Sequence, residues 1–344
     1  MRIQKERVCC MASSKDVARE AGVSQATVSR VLNNPGSVRL DRREKVLDAI
    51  QKLNYQPNLI ARSLVTNQTR TIAFISGSMR NNFFIDTMDS VINLAHEHGY
   101  RTMVFFDGND SLRNIWNTIK GHQVDGVILS LIKLDDDIVK EIIHSNIPHM
   151  FLSRRPREGG HYVEIDNRLA GELIASHIIE LGHRRIAVLS GELCYSTFLG
   201  RKEGIDQAFN QAGLTLNDEL VHYMNTASLM DIEKVIRKMF HSHEPPTAII
   251  CTSDAMAFAC MDILLGMGLS VPGDVSITGI DDSKLSAHQS FRLTTVGHKL
   301  FEMGEIAVEH VLEMIEHKEL DKKRQMVLRP ELVIRKTTAK LAQD

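Results

Sequence analysis

From Thr71 to Ile280 the chain repeats one pattern, a short apolar run followed by a longer stretch of helical periodicity. The runs are "TIAFIS" (71–76), "RTMVFF" (101–106), "DGVILSL" (125–131), "IPHMFL" (147–152), "RIAVLS" (185–190), a strand near 219–223, "TAIICT" (247–252) and "VSITGI" (275–280). Helical segments fall near 84–98, 112–121, 135–145, 168–181, 199–212, 229–240 and 254–267. A strand buried on both faces needs no polar alternation, and a parallel neighbour needs a crossover. The pattern therefore predicts an α/β fold with parallel sheets covered on both sides. There are too many repeats for one such sheet and enough for two. "TTV" (294–296), a helix near 299–316 and a strand pair near 326–335 are expected to cross back between two lobes.

The 344 residues are 43% apolar and 24% charged, which suits a globular protein with several cores. No run of 18 apolar residues offers a membrane span. The opening "MRIQKERVCC" has no apolar stretch of the secretory kind. Residues 1–11 read as a short disordered tail, or as a stretch upstream of a start at Met11. The five cysteines (9, 10, 194, 251 and 260) form no C-x-x-C pair and read as reduced thiols in a cytoplasm.

The net charge of −2 conceals an asymmetry. Residues 1–70 carry 13 Lys and Arg against 6 Asp and Glu, whereas the remaining 274 carry 28 against 37. A basic head on an acidic body points to a polyanion partner at one end.

The head contains "DVAREAGVSQATVSRVLNN", Asp16 to Asn34. Ser13 or Ser14 can cap a helix to Ala21, Gly22 permits its left-handed end, and Ser24 can cap a second helix from about Gln25 to Asn33. A third helix, about Asp41 to Leu53, offers Val46, Ala49, Ile50 and Leu53 to the core formed by Val17, Ala18, Ala21, Val28, Val31 and Leu32. This is a helix-turn-helix, whose second helix enters the DNA major groove. Gln25, Ala26, Ser29 and Arg30 lie on the outer face of that helix. Arg30 can fork onto guanine, Gln25 onto adenine, and Ala26 can touch a thymine methyl. Thr27 and Ser29 are better placed for phosphates. One such head reads half a site, so a homodimer or higher oligomer on a palindromic double-stranded operator is expected.

After Pro57, Asn58 can cap a short helix in "LIARSLV". One or two turns without a core are unstable alone. The segment is either a plain tether or a helix that orders on a partner.

"KDVAREAGVSQATVSRVLNN" and "LNYQPNLIARSL" resemble the LacI/GalR family of bacterial transcription regulators. So do "DNRLAGELIASHIIELGHRRIAVLSG", "GRKEGIDQAF", "DAMAFACMDILLGMGLSVPGDVSITGIDD" and "RPELVIRKTT", so the resemblance spans nearly the whole chain. It implies a three-helix DNA-binding domain (12–57), a hinge helix and linker (58–69), and a two-lobed body of the periplasmic-binding-protein type (70–340) that binds effector and dimerises. The first lobe would hold about 70–166 and 299–325, and the second about 167–298 and 326–340, joined by three crossovers. In the hinge, the resemblance implies that Leu64 wedges into the minor groove with Ala61 on the same face.

Ligands of open parallel sheets sit beyond the carboxyl ends of the strands. Phe83 and Phe84, Asp166, Thr197 and Arg201, Ser253 and Asp254, and Asp281 fall there, with Ser76, Asn167, Ser196 and Asp282 nearby. Such groups suit a polyhydroxylated small molecule, a sugar or sugar derivative. Asp254 reads equally as a helix cap, Asp166 as a bridge between lobes, and the two phenylalanines as partly core. Arg201 and Asp281 match family positions that commonly hold effector. Family members that bind pyranoses often carry Asn where Ser253 stands and a stacking Trp in the second lobe, whereas Trp116 falls in a first-lobe helix.

Catalytic and metal motifs are missing from the sequence, and no cofactor is expected. His96 and His98, two apart, would face different sides of a helix, and "DDD" (135–137) reads as an acidic first helical turn. The chain therefore reads as a cytoplasmic DNA-binding regulator, nucleoid-associated on its operator. The reading is a repressor of a carbohydrate or related catabolic operon, with an activator or dual regulator as the alternative. A transport-type sugar-binding protein without DNA-directed regulation is the alternative from another class.

Overall fold

The computed structural model describes residues 12–33, 35–56, 68–106, 111–226, 228–298, 300–317 and 323–341. The chain divides into two compact units, residues 1–69 and 70–344.

The first unit is built on α1 (Ser14–Ala21), α2 (Gln25–Asn33) and α3 (Leu40–Lys52). Val17, Val28 and Val46, one from each helix, are fully buried. Val23, Leu32, Ile50 and Leu53 pack around them. Three short helices are stable because each gives its apolar face to this shared core.

The second unit runs β1 (Thr71–Ser76), α4 (Asn82–Glu97), β2 (Arg101–Phe106), α5 (Leu112–His122), β3 (Gly126–Leu129), α6 (Ile138–Ile143), β4 (His149–Leu152) and β5 (Tyr162–Ile165). It continues through α7 (Asn167–Glu180), β6 (Ile186–Ser190), α8 (Ser196–Gln211), β7 (Val221–Tyr223), α9 (Leu229–Phe240), β8 (Ala248–Cys251), α10 (Asp254–Gly266) and β9 (Ser276–Ile280). Last come β10 (Thr294–Gly297), α11 (Leu300–His317), β11 (Gln325–Leu328) and β12 (Glu331–Val333).

Two six-stranded sheets result, ordered β11-β5-β4-β3-β1-β2 and β12-β10-β9-β8-β6-β7. All their pairings are parallel except that of β12 with β10. Each sheet is buried on both faces. In the first, Ile72 and Phe74 face a cluster with Val91 and Val308, while Ala73 and Ile75 face one with Trp116 and Ile119. In the second, Ala187 and Leu189 face Ile232 and Met256, while Ile186 and Val188 face Ile174 and Phe209.

The chain passes between sheets three times: after β5, after β10, and between β11 and β12. The structure corrects four expectations. The residues near 326–335 are not a strand pair, because β11 joins β5 in the first sheet and β12 joins β10 in the second. The first lobe's last segment therefore extends past 325 to Leu328. "YVEI" forms a strand, β5, that its central glutamate disguises. Asp135–Asp137 precede α6 rather than form its first turn, and Asp135 accepts two hydrogen bonds from Arg157.

Candidate functional site

In the first unit, local hydrogen bonds set how α2 is presented. Ser13 caps α1 in a reciprocal box with Asp16, and Gly22 (φ 64°) closes that helix with its N–H turned back to the Ala18 and Arg19 carbonyls. Ser24 Oγ then accepts from Thr27 N–H at 3.2 Å and starts α2. Gln25, Ala26, Ser29 and Arg30 are exposed on α2, and Thr27 is half-buried with its hydroxyl 2.9 Å from Ser24 Oγ. Gln25 Nε2 donates to Ser14 Oγ at 2.8 Å, so reaching a base would cost it that bond. Asn58, Ala61 and Leu64 lie outside the described residues.

In the second unit, a cavity of about 430 Å³ opens at the carboxyl ends of both sheets. The first turns of α4, α8, α9 and α10 meet there, contributing Phe84, Phe198, Leu229 and Ala255. Phe84 and Phe198 are matched across the two lobes. A Cβ on Gly77, just after β1, would meet the Phe84 ring at 2.2 Å, and one on Gly191, just after β6, would meet the Phe198 ring at 2.3 Å. Each ring thus lies directly on a strand-end glycine. The sequence carries the signal twice as Ser-Gly, six residues, Phe: Ser76-Gly77 to Phe84 and Ser190-Gly191 to Phe198. Phe84 was expected at the site from the sequence and Phe198 was not.

The polar part of the wall includes Arg80, Asn81, Arg154, Glu192, Tyr195 and Asn225, none of which was singled out from the sequence. The Arg154 guanidinium lies over the Tyr195 ring, 3.9 Å from its centroid, and Tyr195 packs edge-on against Phe198 at 6.2 Å. Burial lowers the Arg154 pKa and raises that of Tyr195, while each group's field favours the other's charged form.

Of the eight residues expected at the effector, Phe84 lines this cavity. Phe83 is buried in the first-lobe core, edge-on to Phe84. Most of the others form a polar frame around it. Arg201, 3% exposed, donates to Asn167 Oδ1 (3.1 Å), the Thr252 carbonyl and Asp281 Oδ1 (3.1 Å). Burial pushes the Asp281 carboxyl up to about 7 against the pull of Arg201. Asp254 is neither cap nor lining. Ser253 caps α10, and the Asp254 carboxylate accepts from Thr295 Oγ1 (2.6 Å), Ser283 N (2.9 Å), Ser283 Oγ (3.1 Å) and Ser286 Oγ. It pins the loop after β9, and burial raises its pKa.

Asp166 caps α7 through Leu169 N–H, and its own N–H bonds Leu328 O where two crossovers meet. Thr197 Oγ1 donates to Ser153 O (2.8 Å) and Ser196 Oγ accepts from Arg155 N–H (2.9 Å), so the start of α8 is latched to the other lobe. On another flank, Lys284 N–H bonds Asp86 Oδ2 (2.9 Å) and its ammonium pairs with Asp89 (3.0 Å). Trp116 is buried, with Nε1 donating to Glu141 at 3.1 Å. Among the described residues no group of three or more His, Cys, Asp or Glu could hold a metal ion, and no helix is long and apolar enough to cross a membrane.

A helix-turn-helix unit joined to a two-sheet unit with an interlobe polar cavity is the architecture of a DNA-binding regulator. Residues 14–58 match the model of bacterial regulatory proteins of the lacI family, and residues 175–338 match the periplasmic binding protein-like domain. The chain is 34% identical over 339 residues to the HTH-type transcriptional repressor PurR of Vibrio vulnificus, covering 96% of this chain and 100% of that protein. It is 35% identical over 340 residues to PurR of Vibrio parahaemolyticus, with the same coverage. A lac repressor dimer bound to operator and the anti-inducer ONPF superposes with a TM-score of 0.83 at 26% identity, over 95% of this chain and 99% of that one. A complex of the transcriptional regulator CelR with cellobiose superposes with a TM-score of 0.70 at 26% identity and the same coverage. The chain belongs to the LacI family of bacterial regulatory proteins. It is a DNA-binding transcriptional repressor and not an enzyme.

Proposed function

We propose that this repressor acts in the cytoplasm as a homodimer on a palindromic operator, and that a polar small molecule in the interlobe cavity sets its operator affinity. The carrying observation is the cavity itself. Two aromatic rings, each seated on a strand-end glycine, face hydroxyl, amide and guanidinium groups from both lobes. That combination suits a polyhydroxylated ligand, with rings covering its apolar faces and planar polar groups reading its edges. The CelR–cellobiose complex supports this chemistry, and control of a carbohydrate or related catabolic operon is proposed on that basis.

Gln25, Ala26, Ser29 and Arg30 are proposed to read bases, with Thr27 at the backbone and Asn58, Ala61 and Leu64 at the operator centre. In the body, Phe84 is proposed to touch the effector. Phe83, Asp166, Thr197, Arg201, Ser253, Asp254 and Asp281 are proposed to hold the walls that do so. A thermal-shift screen of the full chain against sugars, sugar phosphates and nucleosides identifies the ligand, since a molecule bound only by the folded state raises Tm. Phe198→Ala is expected to weaken the ligand found at least tenfold. Wild-type affinity in that variant would place the ligand outside this cavity.

A further inference from the structure

We infer that the effector carries an anionic group, a phosphomonoester or a carboxylate, and that Arg154 binds it. This rests on the cavity being the effector site and adds the ligand's charge. The observation is an uncompensated cation. Arg154 lines the cavity, its Nη1 is buried, and that atom has no hydrogen-bond partner among the described residues. The groups that act on its charge most strongly are the Tyr195 ring and hydroxyl, which favour it, and Arg201, which opposes it. Glu192 is the one carboxylate among the described lining residues, and it is exposed. Arg201, the nearby buried cation, already has Asp281 as its partner. Arg80, also on the wall, is exposed like Glu192, so these two charges offset each other and Arg154 is left as the interior cation.

A half-buried cation whose interior N–H group has no counter-ion among the described residues is costly, and a guanidinium is built to receive planar or tetrahedral oxyanions through parallel N–H groups. Tyr195 holds the fork by stacking and by a side-chain hydrogen bond, and leaves Nη1 without a partner among the described residues. Four helices of twelve residues or more begin around the same space, and their amino ends add positive potential to it. A neutral sugar would leave that potential unanswered.

The test uses the full-length protein and matched probes at constant ionic strength: glucose, glucose 6-phosphate, glucuronate and inorganic phosphate, read by thermal shift and calorimetry. At least one anionic probe is expected to bind tenfold or more tightly than glucose. Glucose 6-phosphate against glucuronate separates a phosphomonoester from a carboxylate. Arg154→Gln is expected to lose that advantage and Arg154→Lys to keep part of it. The wild-type series stands even if the Gln variant fails to fold. Equal binding of all four probes, or an anion preference that survives in folded Arg154→Gln, overturns the inference. If neutral sugars bind and move operator affinity while anions do neither, the effector reading holds and this one falls. If anions bind through Arg154 without moving operator affinity, this one holds and the regulatory reading falls.

Discussion

At the scale of single residues, the exposed face of α2 and the buried acids of the body do different work. Arg30 is exposed on α2, and a guanidinium there can fork onto a guanine edge. Arg30→Ala is expected to weaken operator binding by ~1–3 kcal/mol and to relax preference at one base pair. Titrations on operator variants check this, and equal loss on operator and random DNA would make Arg30 a phosphate contact. Glu164, buried beside the crossover to the second lobe, pairs with Arg155 at 2.7 Å. Burial nonetheless pushes its carboxyl up to about 7, Arg155 opposing. From pH 4.5 to 7 the folded chain keeps a proton that the unfolded chain has lost, so stability falls as pH rises through that window, by about 3 kcal/mol at most. Asp281 contributes with the same sign. Glu164→Gln removes one such group, so the variant should gain on wild type in thermal unfolding between pH 5 and pH 8. A difference between the two proteins that does not change with pH would contradict this.

At the scale of elements, α7 and α8 cross with their backbones in contact. A Cβ on Gly204 would lie 1.9 Å from Arg168 O, and one on Gly171 would lie 2.0 Å from Arg201 O. Gly204→Ala must push α8 outward and carry Arg201 away from Asp281. Overpacking costs ~1–3 kcal/mol and occasionally more, and here the obstacle is backbone, so ~3 kcal/mol or more is expected. Thermal unfolding reads it directly, and a wild-type Tm would show that the helices can separate without cost. The same two helices show what was legible in the sequence. Their periodicity was plain, as were "TIAFIS" and "RIAVLS", because strands buried on both faces are continuous apolar runs. β5 was not, because Glu164 interrupts its run, and its pairing with Arg155 and Asn167 is not written in the local apolar pattern. The candidate site was half legible for a similar reason. Its charged residues stand out in sequence, but Arg201, Asp281 and Asp254 bond one another and their neighbours behind the wall. Arg154 and Tyr195 come into stacking contact across 41 residues of chain, a proximity that no local pattern encodes. The repeated Ser-Gly to Phe spacing was the available signal for Phe198.

At the scale of the whole molecule, regulation by effector means that two binding events share one free energy. The lobes meet through hydrogen bonds on two flanks, Thr197 and Ser196 to the β4 end and Lys284 to Asp86 and Asp89. A ligand between them changes the balance of lobe arrangements by its difference in affinity for each, and by no more than that. If operator binding favours one arrangement, the two ligands are coupled reciprocally, typically by 1–3 kcal/mol. The most direct measurement is therefore a pair of titrations on the full chain: operator with and without saturating effector, and effector with and without saturating operator. Both dissociation constants are expected to change by the same factor, between about fivefold and 150-fold. An effector that fills the cavity while operator affinity stays constant would contradict it.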